Sequence, residues 1–167
     1  LAGSPPPNRW PPKMTKSSES GQPKTHAGHG TELAASAALA EYCGIVTVGG
    51  DGLLVEVLNG ILTRVDREEA LRRLPLGVIP GGSGNAMAKT IEFLGGREKG
   101  TWSADAAAAA RAIVGGHTRR LDVTELTQEG VARPYYSIVT VSWGLGSDVD
   151  IESEVCRCCG SFRFTLW

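Results

Sequence analysis

Ile45-Val46-Thr47-Val48-Gly49-Gly50-Asp51-Gly52 and, 32 positions on, Gly77-Val78-Ile79-Pro80-Gly81-Gly82-Ser83-Gly84-Asn85 decide how this chain is read. In each, a short apolar run ends in a glycine-rich turn, after which an amphipathic helix begins. Glycine lets backbone N–H groups come close to a ligand, and a helix N-terminus carries partial positive charge. Two such junctions in succession describe a phosphate cradle built on neighbouring strand ends. The first turn also holds a carboxylate, Asp51, so the cradle contains its own candidate base or metal contact. That combination points to phosphoryl transfer.

Neither turn ends in Gly-Lys-Ser/Thr, so neither is a P-loop. Neither continues as G-x-G-x-x-G, because Val55 and Met87 stand where the third glycine belongs, and a dinucleotide fold of the oxidoreductase type is disfavoured. Upstream, residues 31–41 form an alanine-rich helical stretch that leads to a strand over 45–48. The helix expected over 53–65 places Leu53, Leu54, Val57, Leu58, Ile61 and Leu62 on one face, with Glu56 and Asn59 off it. A short helix over 66–73 precedes a strand over 76–79. The next helix opens at Asn85 as N-cap and is expected to bury Ala86, Met87, Thr90, Ile91 and Leu94. Asp105 caps an alanine helix over 106–114 that closes at Gly115-Gly116. Strands over 119–126 and 135–143 follow, then Gly144-Leu145-Gly146 and an acidic helix start over 147–154. Strand–helix alternation giving way to consecutive strands predicts an α/β fold, with a parallel-sheet lobe leading into a β-rich lobe.

Composition narrows the classes. The 17 basic and 18 acidic residues leave a net charge of −1, which offers no broad basic surface for nucleic acid. No run of about 18 consecutive apolar residues is present to span a membrane. The N-terminus lacks the basic-then-apolar order of a signal peptide, and an opening at Leu1 leads to the expectation that the chain is a fragment. Residues 1–24 are rich in Pro, Ser and Lys and are expected to be a disordered tail. Cys156 and Cys159 have a C-x-x-C spacing, but no second pair completes a tetrahedral zinc site. Reduced cysteines of a cytosolic protein fit better than His26 and His29 as missing ligands.

The two glycine motifs, with Glu56-Val57-Leu58-Asn59-Gly60 after the first, resemble the catalytic domain of the diacylglycerol-kinase-type lipid kinases. Within that superfamily, Ser142-Trp143-Gly144, Asp148-Val149-Asp150, Glu152-Ser153-Glu154 and Arg163-Phe164 resemble the sphingosine kinase branch, with ceramide kinases close by. The resemblance runs from about Lys24 to Trp167. It implies a Rossmann-like, lipid/NAD-kinase-type nucleotide lobe over 25–117 and the truncated start of a β-rich lipid-binding lobe over 118–167.

The resemblance also implies roles. Asp51 matches the general base that acts on the lipid hydroxyl, a function worth roughly 10²–10⁴-fold when the hydroxyl lies within reach. Gly49, Gly50 and Gly52, with Gly82, Ser83 and Gly84, match the residues that wrap the phosphates of ATP. Glu56 matches a position near the nucleotide. Arg157 and Arg163 match two arginines on the ATP phosphates, where planar cationic donors suit a charge-spread transition state. Asp150 matches the acidic residue that holds the polar head of a sphingoid base. Mg²⁺, held largely by ATP oxygens and water, completes the expected cofactors. From the residues alone, Ser147-x-x-Asp150 is also a capping-box pattern, Arg157 and Arg163 also fit solvated surface charges, and Glu56 also fits an exposed helix residue.

The chain departs from the family at both ends. No first strand with an Asn-Pro-containing glycine loop is found, most of the lipid-binding lobe is absent, and Cys158-Cys159 replace a basic or apolar pair. The isolated chain is therefore expected to be unstable or inactive. Phosphorylation of ceramide, diacylglycerol or NAD, and a non-catalytic nucleotide-binding remnant, stand as alternatives to a sphingoid-base kinase. The acceptor chemistry implies a cytoplasmic protein in peripheral contact with a membrane. Oligomeric state is not written in the residues.

Overall fold

The computed structural model describes residues 21–94, 105–116, 118–153 and 155–156. Helix α1 (His29–Ser36) leads through a turn segment to strand β1 (Ile45–Gly49) and directly into helix α2 (Asp51–Leu62). Helix α3 (Arg67–Arg73) then returns the chain to strand β2 (Leu76–Pro80). The two strands pair in parallel, Ile45 opposite Leu76 through to Gly49 opposite Pro80. Helices α4 (Ala86–Leu94) and α5 (Ala106–Gly115) follow. A short antiparallel hairpin of β3 (Thr124–Leu126) and β4 (Tyr135–Ser137) precedes helix α6 (Leu145–Glu152). The result is a mixed α/β fold built round a parallel strand pair.

Helix α2 organises the packing. Instead of one apolar face it buries Leu54, Val55, Val57, Leu58, Asn59, Gly60 and Ile61, as expected of a helix enclosed by its neighbours. Toward α1, Ala34, Val57, Ile61 and Ala70 form one core, flanked by Leu39, Ile45, Leu53 and Leu76. Toward β2, Leu54, Val78, Met87 and Ala88 form another, with Leu76, Ile138 and Val139 packed on it. Gly60 is where α1 comes closest: a Cβ there would strike the Thr31 carbonyl oxygen and come within 2.8 Å of the Ala34 Cβ. Each fully buried Leu or Ile contributes about 1.5–3 kcal/mol.

Asn59 was expected off the buried face, and the structure corrects this. Its amide is the polar member of the α2–β4 interface. Nδ2 donates to the Tyr136 carbonyl at 2.7 Å and to the Val55 carbonyl at 2.8 Å, while Oδ1 accepts the Tyr136 N–H at 2.9 Å. A buried amide is tolerated when both its ends are bonded.

Helix α1 ends at Ser36, short of the expected 41, although alanines continue. The Arg64 Nη1 takes the last carbonyls instead, at 3.2 Å from Ala34 O, 2.6 Å from Ala35 O and 2.9 Å from Ala37 O. Two bonds to Asp66, at 2.7 and 2.9 Å, hold the guanidinium in place. Helix α4 begins where expected but buries Met87 and Ala88, which pack against Leu54 and Val78, while Ala86, Thr90, Ile91 and Leu94 are exposed.

Helix α5 matches its reading. The Asp105 side chain accepts from Ala107 N and Ala108 N, and Gly116 closes the helix at φ 70°. The later strands are shorter than expected, since only residues 124–126 and 135–137 find ladder partners among the described residues. Helix α6 starts two residues early, after Gly144 at φ 82° and without a side-chain cap. Ser147 lies inside the helix, with Oγ 3.1 Å from the Ser142 Oγ, so the capping box does not form.

Candidate functional site

The parallel register brings both glycine turns out of the same end of the strand pair. They touch backbone to backbone: Gly81 N donates to Gly49 O at 3.0 Å. A Cβ on Gly82 would lie 2.5 Å from the Gly50 Cα and 3.0 Å from its nitrogen, and one on Gly81 would lie 3.3 Å from the Gly49 Cα. Glycine is required at Gly82 because another backbone occupies the space a side chain would need. Gly52 is different, with nothing within 4 Å of its would-be Cβ, and Gly84 faces the Asp51 carboxylate at 3.4 Å. Ser83 is exposed at the tip of the second turn.

Asp51 joins the two turns. It stands in the first turn of α2, and its carboxylate accepts the first N–H groups of α4, Ala86 N on Oδ2 at 2.8 Å and Met87 N on Oδ1 at 2.9 Å. An anion at a helix N-terminus is favoured by the exposed N–H groups and the dipole. Asn85, expected to cap α4, does something else. It sits at φ 53° and folds its amide back on Gly82, accepting from Gly82 N at 2.8 Å and donating to Gly82 O at 2.5 Å. Asparagine is one of the few residues suited to that left-handed conformation. The start of α4 is thus filled by a carboxylate, whereas α2 starts at Gly50 with no side-chain cap. The open helix start at this end of the sheet is that of α2.

One turn along α2, Glu56 bonds Lys24 Nζ at 2.5 Å and accepts Gly30 N at 3.2 Å. Partial burial pushes its carboxyl up, but the Lys24 hydrogen bond, the Gly28 and Gly30 N–H groups and the Lys24 charge together hold it below its ordinary 4.5. Its backbone oxygen accepts the Thr31 hydroxyl at 3.0 Å, so Glu56 fastens the start of α1 to α2. Beside it, the rings of His26 and His29 stack with centroids 4.8 Å apart. Both turn to the Thr25 hydroxyl through Nδ1, at 3.0 and 3.2 Å.

Asp150 stands exposed on α6, a helix with no buried residue. Arg157 and Arg163 lie outside the described residues. Among the described residues no group of three or more His, Cys, Asp or Glu could hold a metal ion. A cleft of about 710 Å³, lined by Arg64, Asp66, Arg67, Glu69, Arg133 and Tyr136 among others, opens at the C-terminal end of α2. It lies a full helix length of roughly 18 Å from Asp51, so the chemistry of the turns does not rest on that cavity.

Residues 13–126 match the diacylglycerol kinase catalytic domain, well over half of the chain. The chain belongs to that family. Among curated relatives, sphingosine kinase 2 of Homo sapiens is 44% identical over 138 residues, covering 83% of this chain and 21% of that protein. Sphingosine kinase 1 of Arabidopsis thaliana is 42% identical over 139 residues, covering 83% of the chain and 27% of that protein. Sphingoid long chain base kinase 4 of Schizosaccharomyces pombe is 36% identical over 138 residues, covering 83% and 28%. The chain therefore spans 21% to 28% of the length of these relatives. The stretch that matches the diacylglycerol kinase catalytic domain contains both glycine turns, Asp51 and β3, and stops before β4.

Proposed function

We propose that this chain is the nucleotide-phosphate end of an ATP-dependent lipid kinase that phosphorylates the primary hydroxyl of a sphingoid base. The observation that carries the reading is the contact of the two glycine turns, with Asp51 held between them by two backbone N–H groups. Its likeness to sphingosine and sphingoid long chain base kinases supports the sphingoid acceptor.

In this reading Gly49, Gly50 and Gly52, at the uncapped start of α2, approach the phosphates with Gly82, Ser83 and Gly84 across from them. The acceptor oxygen attacks the γ-phosphorus, the bond to the β,γ-bridging oxygen breaks, and ADP leaves. Asp51 takes the hydroxyl proton. Its oxygens each accept one N–H and retain acceptor capacity, so the cap orients the base without exhausting it. Glu56, fixed by Lys24, sets the position of the α2 first turn beside the nucleotide. Arg157 and Arg163 supply charge to the transferring group, and Asp150 holds the polar head of the acceptor. A Mg²⁺ ion, when bound, would neutralise phosphate charge and would be held largely by nucleotide oxygens and water.

In this reading residues 25–117 are the catalytic lobe, with Lys24 fastened to it through Glu56, and 118–167 are the start of the acceptor lobe. No helix of the described residues is long and apolar enough to cross a membrane. The acceptor itself resides in a bilayer, so peripheral membrane contact of a cytoplasmic protein follows from its chemistry.

The test is transfer of labelled phosphate from ATP-Mg²⁺ to sphingosine, ceramide, diacylglycerol and NAD by the protein that carries this chain. Transfer to sphingosine that collapses in Asp51→Asn supports the reading. Transfer to another acceptor overturns the substrate, and ATP binding without any transfer overturns the activity.

A further inference from the structure

We infer that Asn59 is a positioning residue that sets the acceptor side of the site against Asp51. The inference rests on the reading of β3, β4 and the segment after them as the acceptor lobe. The Asn59 amide bonds both backbone groups of Tyr136, accepting its N–H at 2.9 Å and donating to its carbonyl at 2.7 Å. These are the two bonds an adjacent strand residue would make, supplied by one side chain of a helix. The residue is 8% exposed, so water does not compete for them.

A doubly bonded residue fixes the register of the chain that follows. From Tyr136 the backbone runs on to Ile138 and Val139, which pack against the cluster of Leu54, Val78, Met87 and Ala88. Two members of that cluster border Asp51: Leu54 is three residues along the same helix, and Met87 donates its N–H to Asp51 Oδ1 at 2.9 Å. A slip of one residue at Tyr136 would shift the bend at Ile138 and Val139 along the chain and remove both from that contact. Helix α2 is thereby fastened at both ends of its buried span. Asp51 ties it to the first turn of α4, and Asn59, about 12 Å along the axis, ties it to β4. Distances between a base and an incoming hydroxyl tolerate little error, since a misplacement of about 1 Å can cost 10²-fold in rate.

The test compares Asn59→Leu, which removes both bonds at similar volume, with Asn59→Asp, which sets an oxygen against the Tyr136 carbonyl. Both are made in the protein that carries this chain and assayed with ATP and sphingosine. We expect kcat/KM for the lipid to fall at least tenfold while the KM for ATP stays within twofold, because Asp51 and the turns keep their own contacts. Amide hydrogen exchange is measured alongside: Tyr136 should exchange faster in Asn59→Leu, whereas Asn59→Asp keeps an oxygen for that N–H and loses only the bond to the carbonyl, with Ala86 and Met87 still protected in both. Parallel losses for ATP and lipid, unchanged lipid kinetics, or an unchanged Tyr136 amide in Asn59→Leu would each overturn the inference. If the wild-type protein phosphorylates no lipid, the functional reading fails and takes the acceptor role of Asn59 with it; the exchange measurement then still decides whether the Asn59–Tyr136 clamp exists.

Discussion

Asp51 and Met87 stand 36 residues apart in the chain, yet Oδ1 of the first accepts the backbone N–H of the second at 2.9 Å. The carboxylate proposed as base is therefore also the cap of a neighbouring helix, and the two roles can be separated by substitution.

Asp51→Asn retains an oxygen that can accept one of the two N–H groups, and asparagine caps about as well as aspartate. Stability should fall by less than about 1 kcal/mol while phosphate transfer falls by roughly 10²–10⁴-fold. Asp51→Ala loses both and should lose a further ~1 kcal/mol of stability. Urea titration and a transfer assay on the same samples check this. Equal activity in wild type and Asp51→Asn would leave the residue as a cap alone.

The glycines divide into two kinds. Gly82→Ala places a Cβ 2.5 Å from the Gly50 Cα, a backbone atom that cannot swing aside, so the turns must separate. A loss of about 1–3 kcal/mol and of ATP binding should follow. Gly52→Ala meets nothing within 4 Å and should leave stability unchanged or slightly raised. Any loss of ATP affinity in Gly52→Ala would then report a ligand that comes close to the backbone. Isothermal titration with ATP-Mg²⁺ and thermal melts distinguish the two.

The Lys24–Glu56 pair makes stability depend on pH with a definite sign. The folded carboxyl lies below its ordinary 4.5, so the folded state binds this proton less readily than the unfolded one. Its stabilisation is complete above the ordinary value and is lost as pH falls through the lowered folded one. The stability difference between wild type and Glu56→Gln should therefore be largest near neutrality and shrink in acid. Lys24→Met should narrow it at neutral pH, because the largest opposing influence on the burial of Glu56 is then gone. Urea midpoints taken from neutral pH into the acid range check both.

Arg64 closes α1 by holding three carbonyls with one guanidinium nitrogen while Asp66 holds the fork. A lysine cannot reproduce that planar geometry. Arg64→Lys should cost about 1–2 kcal/mol, and amide exchange should show α1 fraying from its C-terminal turn.

What could be read from the residues was local. Asp105 and Gly116 cap α5 with chemistry contained in a dozen residues, and both glycine junctions are visible from their own composition. What could not be read came from distant partners. Asn59 is polar, and only the arrival of Tyr136, 77 residues later, makes its burial favourable. The alanine run after Ser36 favours continued helix, and Arg64 ends it from outside. Asn85 has the composition of a cap, but Asp51 had already taken the N–H groups in question. In the site itself the turns and Asp51 were legible; the engagement of Glu56 by Lys24 and Gly30 was not.

The borrowed cap of α4 bears on the order of events in biosynthesis. A nine-residue helix is too short to persist alone in water, and its first N–H groups are held by a residue that emerges from the ribosome 35 positions earlier. At 5–20 residues per second, Asp51 waits about 2–7 s for Ala86 to be made. Until then the nascent polypeptide has a carboxylate with no α4 amides to receive, so the cradle cannot close before its second half has been made.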